Sequence, residues 1–245
     1  MRHEHTDAQP VTLRVLSLSE IGRDVYQVRL AAGSACRPAY EAGQYLKLRL
    51  ADGSLRAFSI ASAPESGRIE LQILAQRRQD NSRPVLDYLS KARVVQCRMP
   101  YGRCRLPEDD RPLIMIAGGT GISQMKSLID SSIARSESRN IWLYWGGKTI
   151  DSLYLDDELR EIAVEHPRIH YRPTLERRDS GNGYASGYPH LLALKEHPNI
   201  RDHTVFCSGS EAMASAVCNS MFVHGVPKQR IHCDWLDILS LQQHA

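Results

Sequence analysis

The feature that most constrains this chain is a change of texture near residue 108. Before it, from Val11 to about Pro107, short β-forming stretches follow one another: "VTLRVLSLSEI", "VYQVRLAA", "QYLKLRLA", "LRAFSIASAP" and "RIELQILAQ". Gly33, Gly43, "ADGS" and "SGR" punctuate them as turns. Five or six such strands predict a small antiparallel Greek-key β-barrel. "PVLDYLSKA" reads as a short helix within it, and "VQCRMPYGRCRL" as its last segments. After the polar, proline-flanked "PEDDRP" the pattern alternates. An apolar run "LIMIA" precedes the helical "ISQMKSLIDSSIAR", then the strand "NIWLYWGG" and the helix "LYLDDELREIAVEHP". Strands "RIHYRPTL" and "TVFCSGS" follow, and the helix "EAMASAVCNSMFVHG" stops at Gly225. Strands alternating with helices predict a doubly wound parallel α/β sheet. The expected division is a flexible N-terminus at 1–10, a barrel domain at 11–107 and an α/β domain at 108–245.

Composition narrows the function classes. The 245 residues are 42% hydrophobic and 24% charged, which suits two modest domains with real cores. A net charge of +3, with no basic stripe, argues against nucleic acid and anionic membrane as partners. The basic pair Arg77-Arg78 reads as a solvated loop. The six cysteines include no Cys-x-x-Cys pair, so zinc and iron–sulfur sites are not expected, nor any other metal. No signal peptide is read at the start, which predicts reduced thiols and a cytoplasmic protein. His3 and His5 lie in a polar, frayed start. The longest apolar run, near Leu113 to Ala117, is far too short to span a bilayer.

Chemistry is indicated where the apolar strands of the second half end in small residues: "AGGTG" at 117–121, "WGG" at 145–147 and "CSGS" at 207–210. In open α/β sheets ligands bind beyond the carboxyl ends of the strands. Glycine lets a ligand approach the backbone there. The first of these turns opens a helix, whose N-terminal amides attract phosphate, so a pyrophosphate is expected at Gly118 to Gly121. The turn is neither a P-loop nor Gly-x-Gly-x-x-Gly, and no Gly-x-Ser-x-Gly elbow is present; kinases, GTPases and serine hydrolases are disfavoured.

In "LRAFSIASAP" an arginine lies inside an apolar strand. Arg56 offers a fork of donors to a phosphate or carbonyl, and Phe58, two residues on, projects to the same face and can lie against a flat ring. Ser59 points to the opposite face unless the strand ends there, in which case its hydroxyl can meet a ring nitrogen. The same three residues also read as a solvated arginine, a core phenylalanine and a turn serine.

Taken in order, "RAFSIASAP…IELQI", "PYG", "IAGGTGIS", "LYWGG…LY", the late Gly-x-x-x-Met and the closing "CDWLDIL" resemble the ferredoxin–NADP⁺ reductase superfamily, and within it the NAD(P)H:flavin oxidoreductases, including those associated with bacterial bioluminescence. The resemblance covers about residues 11 to 239. It implies that Arg56, Phe58 and Ser59 hold a flavin, with Ser59 near N5 as the residue closest to the chemistry. It implies that Gly118, Gly119, Thr120, Gly121 and Ile122 hold the pyrophosphate of NADH or NADPH, with Gly146, Gly147 and Lys148 flanking the adenosine half. Ser208 would line the nicotinamide site, and Gly209 and Met213 match the late motif. Cys207 falls one position before the family's usual cysteine, and a strand directs it elsewhere. Trp235 is a candidate shield for the ring pair, or ordinary packing. Hydride transfer needs no acid–base pair from the protein, because the cofactors carry the reactive atoms.

Departures matter too. FAD-holding relatives carry a serine where this chain has Leu86, in "QRRQDNSRPVLDYL", which resembles the branch that uses flavin as a substrate. Gln124 replaces a common proline, and "GNGYASG" lacks a common Gly-Arg-x-Gly. Lys148 and Arg177 are candidate partners of a 2′-phosphate, whereas Glu176 opposes one. The leading expectation is an NAD(P)H:flavin oxidoreductase using FAD, FMN or riboflavin and supplying reduced flavin to a monooxygenase, luciferase or other redox protein. Two alternatives are an FAD-holding reductase subunit of an oxygenase system and a nucleotide-binding redox sensor without turnover.

Overall fold

The computed structural model describes residues 8–33, 39–75, 82–176 and 183–235. They form two compact units: one runs to Leu106 and takes in Lys126–Ala134, the other comprises Pro107–Met125 and the chain from Arg135 on.

In the first unit six antiparallel strands lie in the order β4-β3-β6-β1-β2-β5. They are β1 (Gln9–Gly22), β2 (Val25–Ala32), β3 (Tyr45–Arg49), β4 (Leu55–Ser59), β5 (Ile69–Leu74) and β6 (Val94–Tyr101), with helix α1 (Arg83–Lys91) between β5 and β6. The sheet curls until its outer strands meet, where the Ala61 amide donates to the Glu70 carbonyl at 2.8 Å. That order is a Greek key. Alternation does the sorting. Along β6, Val95, Cys97 and Met99 are buried while Val94, Gln96 and Arg98 are exposed. The inward set joins Leu13, Val28, Leu30, Leu46, Leu48 and Leu71 in one core, capped by Val85, Leu86 and Leu89 of α1.

In the second unit six parallel strands lie in the order β10-β9-β8-β7-β11-β12. They are β7 (Leu113–Gly118), β8 (Ile141–Gly147), β9 (Ile169–Leu175), β10 (Ala185–Ser186), β11 (Thr204–Ser208) and β12 (Ile231–His232). In sequence four helices alternate with them: α2 (Ile122–Ala134), whose residues from Lys126 on belong to the first unit, α3 (Asp156–Glu165), α4 (Pro189–Glu196) and α5 (Glu211–Val223). Leu113 to Ala117 are all fully buried, as expected of a central parallel strand covered on both faces. Helix α3 starts at Asp156, three residues later than the pattern "LYLDDELREIAVEHP" allows. A tight turn over Ile150–Ser152 holds the chain first, and three acids in the first turn of α3 then favour its N-terminus. Helix α4, in "YPHLLALKE", carries no clear apolar period and is an addition to the sequence reading.

Among the described residues no helix is long and apolar enough to cross a membrane, and no group of His, Cys, Asp and Glu is arranged to hold a metal ion. Cys97, Cys104, Cys207, Cys218 and Cys233 are buried thiols outside any disulfide. Burial raises the Cys97 thiol to about 11, which keeps it protonated and inert.

Candidate functional site

The parallel sheet runs outward from β7 to β8 and β9, then returns to place β11 on β7's other side. The strand order therefore reverses between β7 and β11, where open α/β sheets form their binding crevice. The residues at that reversal are Gly118 to Ile122 on one side and Ser208, Gly209 and Met213 on the other. A Cβ at Gly121 would lie 2.2 Å from the Ser208 carbonyl oxygen. One at Gly118 would lie 2.3 Å from the Met213 sulfur, and one at Gly209 2.8 Å from the same atom. These three glycines are present because two loops and a methionine occupy the space a side chain would need.

Gly119 differs from them. Its φ is +53°, nothing lies within 4 Å of its Cβ position, and it is exposed. It is the glycine of this turn with open space in front of it. Its carbonyl accepts the indole N–H of Trp145 at 3.0 Å and the Ile122 amide. Thr120 beside it is half-buried, whereas Ile122 is fully buried and belongs to the core.

Two helices begin at the crevice. Helix α2 has 13 residues and no acid in its first turn. Helix α5 is capped by Ser210, whose hydroxyl accepts the Met213 amide, and carries Glu211 in its first turn. Both N-termini have amides without intrahelical acceptors, but Glu211 already answers the positive end of α5. An anion is better served at α2.

One strand over, Gly146 pairs in register with Gly118. A Cβ on Gly146 would meet the Pro189 ring at 2.9 Å, and one on Gly147 the Ser152 hydroxyl at 2.6 Å, so both are packing glycines. The Gly147 carbonyl accepts the Glu176 amide at 3.0 Å, which fixes Glu176 beside the end of β8. Lys148 and Glu176 are exposed there. Arg177 lies outside the described residues. The chain on either side of 177–182 is tied down by Asp156, which accepts from Tyr171 at 2.8 Å, Tyr184 at 2.7 Å and Arg160 at 2.8 Å. Burial and the Asp156 charge push the Tyr171 phenol well above its usual range.

Cys207 is 1% exposed and packs in the core with Ile114, Val205 and Ala214, while Ser208 after it is partly open. Trp235 packs on that same core, with its indole N–H buried and unbonded. Gln124, at 1% exposure, donates to the Asp234 carboxylate at 2.7 Å and so ties the start of α2 to the closing segment.

In the barrel, β4 carries the other candidates. Arg56 is exposed and opposes Leu48, Phe58 is half-buried against the barrel core and opposes Leu46, and Ser59 ends the strand opposite Tyr45. Arg56 is in no ion pair among the described residues. It contributes, after the Ser54 hydrogen bonds, to holding the Asp52 carboxyl low. The backbone after Ser59 is secured on both sides: the Ile60 amide donates to the Gln44 carbonyl and the Ala61 amide to Glu70. Gln44 was not singled out by its sequence context. Its buried amide donates to the Gly102 carbonyl at 3.0 Å and accepts the Glu41 amide at 2.8 Å. Leu86 is 5% exposed in the barrel core, where it offers no hydrogen-bonding group.

Known proteins bear on these two walls. The oxidoreductase NAD-binding domain family matches residues 115–219, which contain the whole crevice. The NAD(P)H-flavin reductase of Aliivibrio fischeri is 31% identical over 215 residues, covering 84% of this chain and 89% of that protein. The chain belongs to the ferredoxin–NADP⁺ reductase superfamily. Other members extend the picture. The CDP-6-deoxy-L-threo-D-glycero-4-hexulose-3-dehydrase reductase of Yersinia pestis is 30% identical over 94% of this chain and 70% of its own. Terephthalate 1,2-dioxygenase reductase component 1 of a Comamonas species is 33% identical over 91% and 67%. Among solved structures, the Amycolatopsis cytochrome P450 reductase GcoB superposes with a TM-score of 0.81 at 28% identity, over 92% of this chain and 69% of that one. As a member of this superfamily the chain is an NAD(P)H-dependent oxidoreductase that works with flavin and a nicotinamide nucleotide. A redox partner downstream is in keeping with the reductase-component relatives.

Proposed function

We propose that the chain is an NAD(P)H:flavin oxidoreductase that takes flavin as a substrate and supplies it, reduced, to a partner oxygenase or luciferase. The observation that carries this reading is Leu86: where FAD-holding relatives carry a serine, this chain places a buried core leucine. The barrel, 11–107, is the flavin domain in this reading and 108–245 the nucleotide domain. Flavin, when bound, accepts the hydride that the nicotinamide gives up. The protein's own part is to hold and orient.

In this reading Arg56 meets the flavin's polar chain, Phe58 lies against its ring, and Ser59 donates a hydrogen bond near N5. The barrel surface suits such a ligand in three ways: Arg56 is exposed and in no ion pair among the described residues, Phe58 is only half-buried, and hydrogen bonds on both sides fix the backbone after Ser59. Gly119, Thr120 and the start of α2 take the nucleotide's pyrophosphate, supported by the open, positive-φ Gly119 and the acid-free helix N-terminus. Gly118, Gly121, Gly146, Gly147, Gly209 and Met213 shape that site through packing. Ser208 lines the nicotinamide end, and Lys148 and Glu176 flank the adenosine end.

A second reading has its own support. Reductase components of a dioxygenase and of a dehydrase match at similar identity, which favours a chain that keeps FAD and passes electrons directly to a protein. Gel filtration of the purified protein separates the two. The proposal expects a colourless protein that oxidises NAD(P)H only when free flavin is added. A yellow protein that retains flavin through the column overturns it in favour of the second reading. Within the site, Ser59→Ala is expected to lower kcat about a hundredfold with a small change in nucleotide KM. Unchanged kcat with lost flavin binding would remove Ser59 from the chemistry.

A further inference from the structure

The crevice turn has an electrostatic problem that its sequence does not reveal. A phosphate site needs backbone N–H groups facing the ligand and carbonyl oxygens turned away. "GGTG" contains no side chain that could enforce this. Its one hydroxyl, on Thr120, can accept or donate, and its glycines have no side chain at all. Something outside the turn has to decide which way the peptide planes point.

Trp145 of β8 reaches the turn with a hydrogen-bond donor. It is fully buried, and its indole N–H meets the Gly119 carbonyl oxygen at 3.0 Å. Its ring is held edge-on by Tyr154, at 5.4 Å between centroids and 90° between planes. The indole has a single donor and no acceptor, so it can bind this turn only through an oxygen, and the oxygen it takes is the Gly119 carbonyl. Gly119 sits at φ +53°, the left-handed region, with nothing near its Cβ position. No steric crowding therefore explains why glycine is needed there; the backbone conformation does. The Ile122 amide joins the indole on the same oxygen.

We infer that Trp145 is a positioning residue for nucleotide binding: its indole N–H draws the Gly119 carbonyl back toward β8 and leaves the turn to present donors. The inference rests on the assignment of the pyrophosphate to this turn. It adds a reason for a tryptophan directly before Gly146-Gly147, where packing alone would accept another large apolar residue. Without the indole donor, the Gly119 carbonyl is held by the Ile122 amide alone, and its peptide turns more easily to put a carbonyl oxygen where the phosphate lies. Affinity then falls with little effect on the chemistry of molecules that do bind.

The test uses direct binding of NAD⁺ and of ADP-ribose by titration calorimetry, together with steady-state kinetics and thermal unfolding. Two variants remove the donor: Trp145→Phe, and Trp145 replaced by benzothienylalanine, which keeps the bicyclic shape and has sulfur in place of N–H. The second controls for the cavity that phenylalanine leaves. Both are expected to weaken ADP-ribose binding roughly tenfold, the loss of one hydrogen bond's worth of organisation. KM for NAD(P)H should rise in parallel, kcat should stay within about twofold, and flavin KM should be unchanged. Wild-type ADP-ribose affinity in the benzothienylalanine protein overturns the inference. So does a matched loss of flavin and nucleotide affinity, because that is general unfolding. Thr120→Trp, which fills the turn, separates this failure from failure of the site itself. If Thr120→Trp still binds ADP-ribose, the pyrophosphate is elsewhere and the inference falls with the assignment. If Thr120→Trp abolishes binding while both Trp145 variants bind normally, the site stands and the role of Trp145 is refuted.

Discussion

In the parallel sheet, the strands at the candidate site end in glycines that a methyl group would not fit, with the Ser208 carbonyl and the Met213 sulfur 2.2 to 2.8 Å from the missing Cβ atoms of Gly121, Gly118 and Gly209. In the barrel, β4 ends in side chains that lean outward, with Arg56 and Ala57 exposed and Phe58 and Ser59 half-buried. The crevice is built from backbone brought close to backbone; the end of β4 is built from side chains standing on a fixed backbone. Charge divides the same way. Residues 11–107 hold 16 Lys and Arg against 8 Asp and Glu, whereas 108–245 hold 14 against 18, so long-range attraction of an anionic flavin favours the barrel. The difference predicts that substitutions in the two walls fail differently. Changes at the crevice damage the fold and the site together. Changes on β4 damage the site and spare the fold.

The largest effect is expected at Gly121. Gly121→Ala forces the turn away from Ser208 and should cost about 3 kcal/mol in urea unfolding, an overpacking penalty. Gly119→Ala, with open space but a left-handed φ, should cost about 1–2 kcal/mol. Equal costs would show that the two loops can part, and the contrast between walls would lose its main support. Next comes Gln44, the barrel's exception, whose buried side chain ties the Glu41 amide to the Gly102 carbonyl. Gln44→Leu leaves the Gly102 carbonyl and the Glu41 amide without their partner and should cost about 2 kcal/mol. A loss near zero would mean water replaces both bonds.

A smaller effect is expected from pH, and only in the α/β unit. Trp142 stacks on His170 and meets His197 and His203 edge-on, at centroid distances of 4.8 to 5.7 Å. Tyr144, Glu196 and Arg172 complete the network, and Asp202 faces His203. Burial first, then the neighbouring histidines, lowers His197; burial lowers His203. Each binds protons more readily unfolded than folded. Their contribution to stability is therefore complete above the unfolded value of about 6.5 and is lost as pH falls below it. Denaturation midpoints should drop between pH 7.5 and pH 5.5, and His203→Phe should reduce that drop. The smallest effect is at Arg56: exposed and unpaired, Arg56→Ala should move stability by less than about 0.5 kcal/mol. The same variant should raise the KM for FMN and flatten its salt dependence, with riboflavin little affected. A destabilised Arg56→Ala protein would show that β4's side chains hold the fold after all.

Periodicity made most of the fold legible. Strict alternation in β6 and the solid apolar run of β7 distinguish a half-solvated antiparallel strand from a doubly covered parallel one before any coordinate is known. Helix α4 was not legible, because eight residues of "PHLLALKE" carry too few turns to show a period and owe their helix to packing on the sheet. The glycines were legible as a group but not individually. The string "GGTG" does not say that Gly121 is there for Ser208, Gly118 for Met213, and Gly119 for its own backbone angle. Gln44 gave no signal, and Trp145, although part of the "WGG" strand end, gave none of its bond to Gly119, since each acts through a carbonyl distant in sequence.

The sequence by itself determined that strands come first and an alternating sheet second, and which residues face inward along each strand, because side-chain direction follows the local backbone period. It also determined the family, through short motifs kept in order. Only the tertiary structure decided what each motif residue touches. It placed the β7 and β11 ends together at the reversal of strand order, put Cys207 in the core and Ser208 at the crevice, and set the Trp145 indole donor on the Gly119 carbonyl. Those are contacts between residues 26 to 95 positions apart, and no local pattern encodes them, because each depends on where the whole sheet brings two strand ends together.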